Sequence, residues 1–137
     1  MSAAPNRLTA PQSGVYRTPV HVDAVRHSLA RDAFWLDLDL AHVGNKSQLM
    51  DAFAKTGLPD HFGRNWDALS DVLTDLSWHD APAYVLRLTG AAATARALGS
   101  DWATLVEVLR HAADYWKAKG TPFVVFLDDA SELPPWI

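Results

Sequence analysis

Three aspartates spaced four residues apart are the side chains in this sequence best placed to do chemistry together. Asp67, Asp71 and Asp75 lie in FGRNWDALSDVLTDLSW, residues 62–78, which has the apolar periodicity of a helix. On a helix this spacing puts the carboxylates on one face, where like charges repel by roughly a few tenths of a kcal/mol per pair. Such a face suits two chemistries, electrostatic binding of a basic partner and shared coordination of a hard divalent cation.

The acidic helix is predicted to span about 65–76, with Asn65 as its N-cap. Its opposite side is apolar and is predicted to face the core through Trp66, Leu69, Val72, Leu73 and Leu76. No lysine or arginine lies three or four residues along the helix from Asp71 or Asp75 to relieve the repulsion. The pattern therefore favours a carboxylate face that acts on something outside the protein.

The net charge of the chain is concentrated in the same segment. Residues 60–80 contain five aspartates and one arginine, which gives this segment a net charge of −4. The whole chain of 137 residues has the same net charge, so the acidic and basic residues outside the segment balance. An acidic focus repels nucleic acid and attracts basic proteins, which argues against direct nucleic-acid binding. Cysteine is absent, the N-terminus lacks the apolar core of a secretory signal, and no stretch approaches membrane-spanning length. These features predict a cytoplasmic protein with no disulfides and no membrane partner.

Strands and helices alternate along the chain, which predicts an α/β fold with a small three-stranded parallel sheet packed with helices. The predicted strands are 34–40, 83–88 and 121–129, and the further helices are 46–56 and 101–118. We expect three regions: an N-terminal extension at 1–32, a main domain at 33–130 and a C-terminal tail at 131–137. The extension is predicted to be partly loose, with a short strand at 15–17 and a short helix near 22–31.

One segment resembles a known family. LPDHFGRNWDALSDVLTDL, residues 58–76, closely resembles the binding segment of the barstar family, intracellular inhibitors of secreted guanyl-specific ribonucleases such as barnase. The matching positions are Pro59, Gly63, Asn65, Asp67, Ala68, Leu69, Asp71, Leu73 and Thr74. The resemblance runs from about residue 33 to 128 and implies a barstar-like fold.

The resemblance implies that the chain is an inhibitor and not an enzyme, with no catalytic residue, metal or cofactor. It implies a one-to-one complex with a basic extracellular ribonuclease, whose active site the acidic helix would block by mimicking RNA phosphate. Asp71 would be the principal phosphate mimic, and Asp67 would pair with a neighbouring basic group. Thr74 and the backbone near Gly63 would complete the polar contacts. Such a protein gives immunity, because a cell that exports the enzyme must neutralise it inside.

The chain departs from the family pattern at several contact positions. His61 stands where the best-known member has a tyrosine, Ser70 replaces a tryptophan, and Tyr115 replaces a glutamate. Asp75 is a candidate to replace that lost charge. The predicted partner-binding set is His61, Gly63, Asn65, Asp67, Ser70, Asp71, Thr74, Asp75 and Tyr115. The departures leave the anionic centre intact and point to a ribonuclease other than barnase.

Two other functions remain open on the sequence. The first is a binding module of the same fold for a different basic partner, which would inhibit no ribonuclease. The second is a metal-dependent hydrolase in which Asp67 and Asp71 share a divalent cation, so that chelation would abolish its activity. The sequence offers neither a third ligand nor a general base for that hydrolase.

Overall fold

The strands form one parallel sheet and the helices pack against it, in a computed structural model that describes residues 7–56, 63–76, 79–128, 130 and 132–136. The strands are β1 (Gly14–Arg17), β2 (Phe34–Asp39), β3 (Tyr84–Thr89) and β4 (Phe123–Leu127). The helices are α1 (Val22–His27), α2 (Lys46–Ala54), α3 (Trp66–Thr74), α4 (Ala91–Leu98) and α5 (Ser100–Ala118), and a 3-10 turn at Ala10–Gln12 precedes β1. In this part of the chain, none of the helices combines the length and apolar character needed to cross a membrane.

The sheet has four strands, in the order β1-β4-β3-β2, with every neighbouring pair parallel. The prediction of three strands was therefore wrong, because β1 forms the fourth by pairing with β4 at Val15 and Val125. The apolar sequence FVVFL of β4 is buried at every position, which is typical of a strand covered on both faces. Such a strand lies inside the sheet and needs a neighbour on each side, and β1 supplies the second.

The two faces of the sheet are covered by different parts of the chain. Helices α2, α3, α4 and α5 cover one face, where the core includes Leu38, Leu49, Phe53, Leu69, Leu73, Leu86, Leu105, Leu109 and Phe123. The other face is covered by residues from both ends of the chain, Leu8, Val22, Val25, Ala30 and Trp136, which pack on Val85, Val124 and Phe126 of the sheet. Residues before position 33 therefore form part of the core.

Helices α1 and α4 differ most from the sequence prediction, while α2 ends two residues earlier than predicted, at Ala54. The first, α1, ends at His27 and not near residue 31, because the chain turns so that the Ala30 backbone N–H donates to the Val25 carbonyl at 2.8 Å. The helix α4 was not predicted, since Leu98 is the only large apolar side chain in its sequence AAATARAL. Its buried Thr94 hydroxyl contacts the carbonyl oxygens of Leu40 and Val43 at 2.7 and 3.0 Å, which ties α4 to the loop after β2.

Candidate functional site

The acidic helix α3 forms as the sequence predicts at its N-terminal end. Asn65 is the N-cap, and its side-chain oxygen accepts a hydrogen bond from the Ala68 backbone N–H at 2.8 Å. Leu69 and Leu73 have no exposed surface, and α3 packs mainly on α5. The apolar side of α3 is thus fixed in the core, which sets the direction of its opposite side.

Asp67 and Asp71 lie exposed on that opposite side, one turn apart, and we call them the acidic face. Asp67 is in the first turn, where the helix dipole stabilises a negative charge. Within the described ranges four ion pairs form, and none of them includes either residue. Neither charge of the acidic face is therefore neutralised by a basic side chain of the described chain.

The third predicted carboxylate is not in the helical row. The helix ends at Thr74, and Asp75 has φ −129° and ψ 89°, so the helix is shorter than the predicted 65–76. Carbonyl groups of the last turn are bound by side chains: the Thr74 hydroxyl donates to the Ser70 carbonyl at 2.8 Å, and the Trp116 indole donates to that of Leu73 at 2.7 Å. The Leu73 carbonyl has no helical N–H to accept from beyond Thr74, and the Trp116 indole supplies the missing donor, so the helix can stop there.

A tight loop leads into α3. Arg64 has a φ of 53°, a left-handed conformation that costs energy for a residue with a side chain. Its Nε lies 3.3 Å from Asp51 Oδ1 of α2, although both side chains are more than half exposed. A Cβ at Gly63 would approach the Ala68 Cβ and Asn65 Nδ2 to 3.3 Å, so this position favours glycine. The loop therefore lies against the first turn of α3 and within ion-pair distance of α2.

The left-handed backbone at Arg64 predicts a specific contrast between two substitutions. Arg64→Val and Arg64→Gly both remove the exposed ion pair with Asp51, which is worth only about 0–1 kcal/mol. Valine disfavours positive φ and glycine does not, so Arg64→Val should be less stable than Arg64→Gly by about 1–3 kcal/mol. Urea unfolding of the two variants measures the difference, and equal stabilities would contradict the conformation described.

The N-cap gives a second prediction for this end of α3. Asn65→Ala removes the oxygen that accepts from the Ala68 N–H, and it should lower the free energy of unfolding by about 0.5–2 kcal/mol. Asn65→Asp keeps an acceptor and is the matched control, with a smaller expected change. Thermal or urea unfolding of both variants checks this, and an unaffected Asn65→Ala protein would mean that the cap does not stabilise α3.

The remaining predicted contact residues gather at the other end of α3. Thr74, Asp75 and Tyr115 line one groove between the end of α3 and the end of α5. The Thr74 hydroxyl already donates to the Ser70 carbonyl, so it is left to accept hydrogen bonds from a partner. Tyr115 is 36% exposed. The structure thus places most of the predicted set either on the acidic face and its preceding loop or in this groove. Ser70 is half-buried within α3, and His61 lies outside the described residues.

Two residues that shape the site, Arg64 and Trp116, were not among the predicted partner-binding residues. Arg64 was counted only as a charge, because a positive φ at a non-glycine residue leaves no signal in the sequence. Trp116 lies in the predicted helix 101–118, and its half-buried side chain also binds the end of α3 through the indole N–H. Among the described residues, no group of three or more His, Cys, Asp or Glu side chains is arranged to hold a metal ion.

Comparison with known proteins gives one finding. The family model described as Barstar (barnase inhibitor) matches residues 33–128. The matched range contains β2 to β4 and α2 to α5, including the acidic face, whereas β1 and α1 precede it. A search of curated proteins found no match to the chain.

Proposed function

Because the chain belongs to the Barstar family, we propose that it inhibits a secreted microbial guanyl-specific ribonuclease by covering the enzyme's active site with the acidic face of α3. Membership itself gives a barnase-inhibitor-like role, which is that of a ribonuclease-binding protein. The observation that carries the finer proposal is the pair of exposed carboxylates, Asp67 and Asp71, for which the described residues supply no ion-pair partner.

The chemistry of RNA cleavage explains why two carboxylates suit this target. A ribonuclease must hold the phosphate of its substrate with cationic side chains, and a carboxylate can occupy the same position. Asp71 takes the role of the phosphate, and Asp67 pairs with a neighbouring basic group. Carboxylate–arginine contacts are charge-assisted and often bidentate, so they give direction as well as energy. Opposite charges also speed the encounter, and that effect weakens as salt is added.

The fold supports this use by holding the acidic face rigidly. Leu69 and Leu73 anchor α3 in the core, and the indole of Trp116 fixes its last turn. The backbone that carries Asp67 and Asp71 is therefore ordered before binding, which reduces the entropy lost in the complex. We propose a one-to-one complex formed in the cytoplasm, where the inhibitor would protect a cell that exports the enzyme.

Competition with a small ligand tests whether the chain occupies an active site. A guanosine monophosphate bound to the ribonuclease should weaken the apparent affinity of the chain in proportion to nucleotide occupancy, as measured by isothermal titration calorimetry, with a stoichiometry of one. Tight binding that the nucleotide does not affect would place the contact elsewhere on the enzyme. Failure to bind any ribonuclease would favour a binding module for a different basic partner.

A further inference from the structure

A groove of about 300 Å³ lies beside the acidic face, between the chain that follows α3 and the last turns of α5. We call it the α3–α5 groove and define it by Asp75, Asp80, Tyr84, Tyr115, Trp116 and Thr121. It combines two exposed carboxylates with three aromatic side chains. Its volume is too small for a peptide segment and suits a single long side chain.

Both walls of the groove are held by hydrogen bonds. On one side the buried Tyr84 hydroxyl accepts from the Ala81 N–H at 3.0 Å and donates to the His79 carbonyl at 2.9 Å, so the backbone on either side of Asp80 is fixed. On the other side the Trp116 indole donates to the Leu73 carbonyl. The groove is therefore formed before any ligand enters.

Two further features of the groove favour a cation. Lys119 Nζ lies 5.5 Å from the centre of the Tyr115 ring, so the ring already attracts a cation of the chain itself. The pKa of Tyr84 is raised chiefly by burial; the hydrogen bond from the Ala81 N–H lowers it, and the negative charge of the neighbouring Asp80 raises it. The negative charge of Asp80 and the Tyr115 ring thus both favour a cationic ligand.

We propose that the α3–α5 groove receives one arginine side chain of the protein partner, with the guanidinium between the carboxylates of Asp75 and Asp80 and against the Tyr115 ring. This occupant is complementary in charge to Asp75 and Asp80, which both belong to the segment 60–80 with its net charge of −4. Arginine fits better than lysine because its planar group stacks on an aromatic ring while its N–H groups reach two carboxylates. That the partner is a ribonuclease rests on the function proposed above.

The groove can be tested without any partner. N-acetyl-arginine amide, titrated at low salt, should saturably shift the NMR signals of the Trp116 indole and of Tyr115. The citrulline analogue is planar but neutral and should not. Asp75→Asn/Asp80→Asn should weaken arginine binding at least about tenfold, since it removes both anionic partners. Lys119→Met should strengthen it, because that variant removes the competing cation. Equal shifts with the citrulline analogue, or shifts that the double substitution leaves unchanged, would overturn the proposal.

The same variants separate this proposal from the proposed function. Asp23→Asn/Asp32→Asn removes two exposed charges elsewhere and is the matched control. If the groove takes an arginine of the ribonuclease, Asp75→Asn/Asp80→Asn should raise the Kd at least about tenfold more than the control. If both variants inhibit the ribonuclease equally well, the groove does not receive an arginine of the enzyme, and the proposed function is unaffected. Arginine binding in the groove by a chain that inhibits no ribonuclease would reject the proposed function and leave the groove standing.

Discussion

Replacing Asp71 with alanine is expected to weaken ribonuclease binding by roughly 2–5 kcal/mol, which is about 30- to 5,000-fold in Kd. The loss is large because the basic groups of the enzyme would stay buried without their anionic partner. That range describes truncated charge pairs in protein complexes generally, with barnase–barstar among the measured systems. The stability of the free chain should change little, since Asp71 is exposed and is in none of the ion pairs of the described residues.

The matched control for Asp71→Ala is Asp114→Ala, which removes an exposed aspartate from the helix α5. Asp114→Ala should leave the Kd within about threefold of wild type, apart from a general electrostatic effect that salt suppresses. Surface plasmon resonance would give both rate constants, and Asp71→Ala should act mainly on dissociation. Equal losses for the two variants would mean that only total charge matters, and the assignment of Asp71 as the phosphate mimic would fail.

A chain that begins at residue 33, where the family match starts, is expected not to fold stably on its own. It would lack β1, which pairs with β4, and the apolar residues of the N-terminal segment that cover one face of the sheet. Val85, Val124 and Phe126 have no exposed surface in the full chain and would lose part of their cover. Burial of one such side chain contributes about 1.5–3 kcal/mol, so losing several approaches the whole stability of a domain, about 5–15 kcal/mol.

Circular dichroism and urea unfolding of the shortened chain test this expectation. Deletion of residues 1–6 keeps every residue described before position 33 and is the control, which should unfold like the full chain. Val25→Asp in the full-length chain keeps the length and places a charge in the same apolar layer, so it should destabilise by several kcal/mol. If the chain of residues 33–137 folds stably and cooperatively, the N-terminal segment is not needed for folding, which would contradict this expectation.

Local features of the fold could be read from the sequence, and features that depend on distant residues could not. The start of α3 was predictable because the N-cap Asn65 and the apolar spacing behind it act within one or two turns. Its end was not, because the donor that binds the Leu73 carbonyl is Trp116, which is 43 residues away along the chain. The short strand β1 was visible, but its pairing with β4 joins residues more than a hundred positions apart.

The same distinction applies to the candidate site. Asp67 and Asp71 could be paired from sequence because a helix sets their separation. The α3–α5 groove could not, since Asp80 and Tyr115 come from segments that meet only through the packing of α3 on α5. Asp75 was predicted as a third member of the helical row and instead lines this groove. Because Asp75 lies beyond the end of the helix, it binds a different group of the partner from Asp71 in the proposed complex.

The most direct test of the central claim is inhibition of a panel of secreted guanyl-specific ribonucleases, measured at low and at high salt. It would compare the wild-type chain with Asp67→Ala/Asp71→Ala and with the charge-matched control Asp23→Asn/Asp32→Asn. If the acidic face binds the active site, the wild-type chain should inhibit at least one enzyme stoichiometrically and more weakly at high salt. Inhibition should be lost in the first variant and retained in the second. A folded wild-type chain that inhibits none of them, or a double variant that inhibits as well as wild type, would contradict this claim.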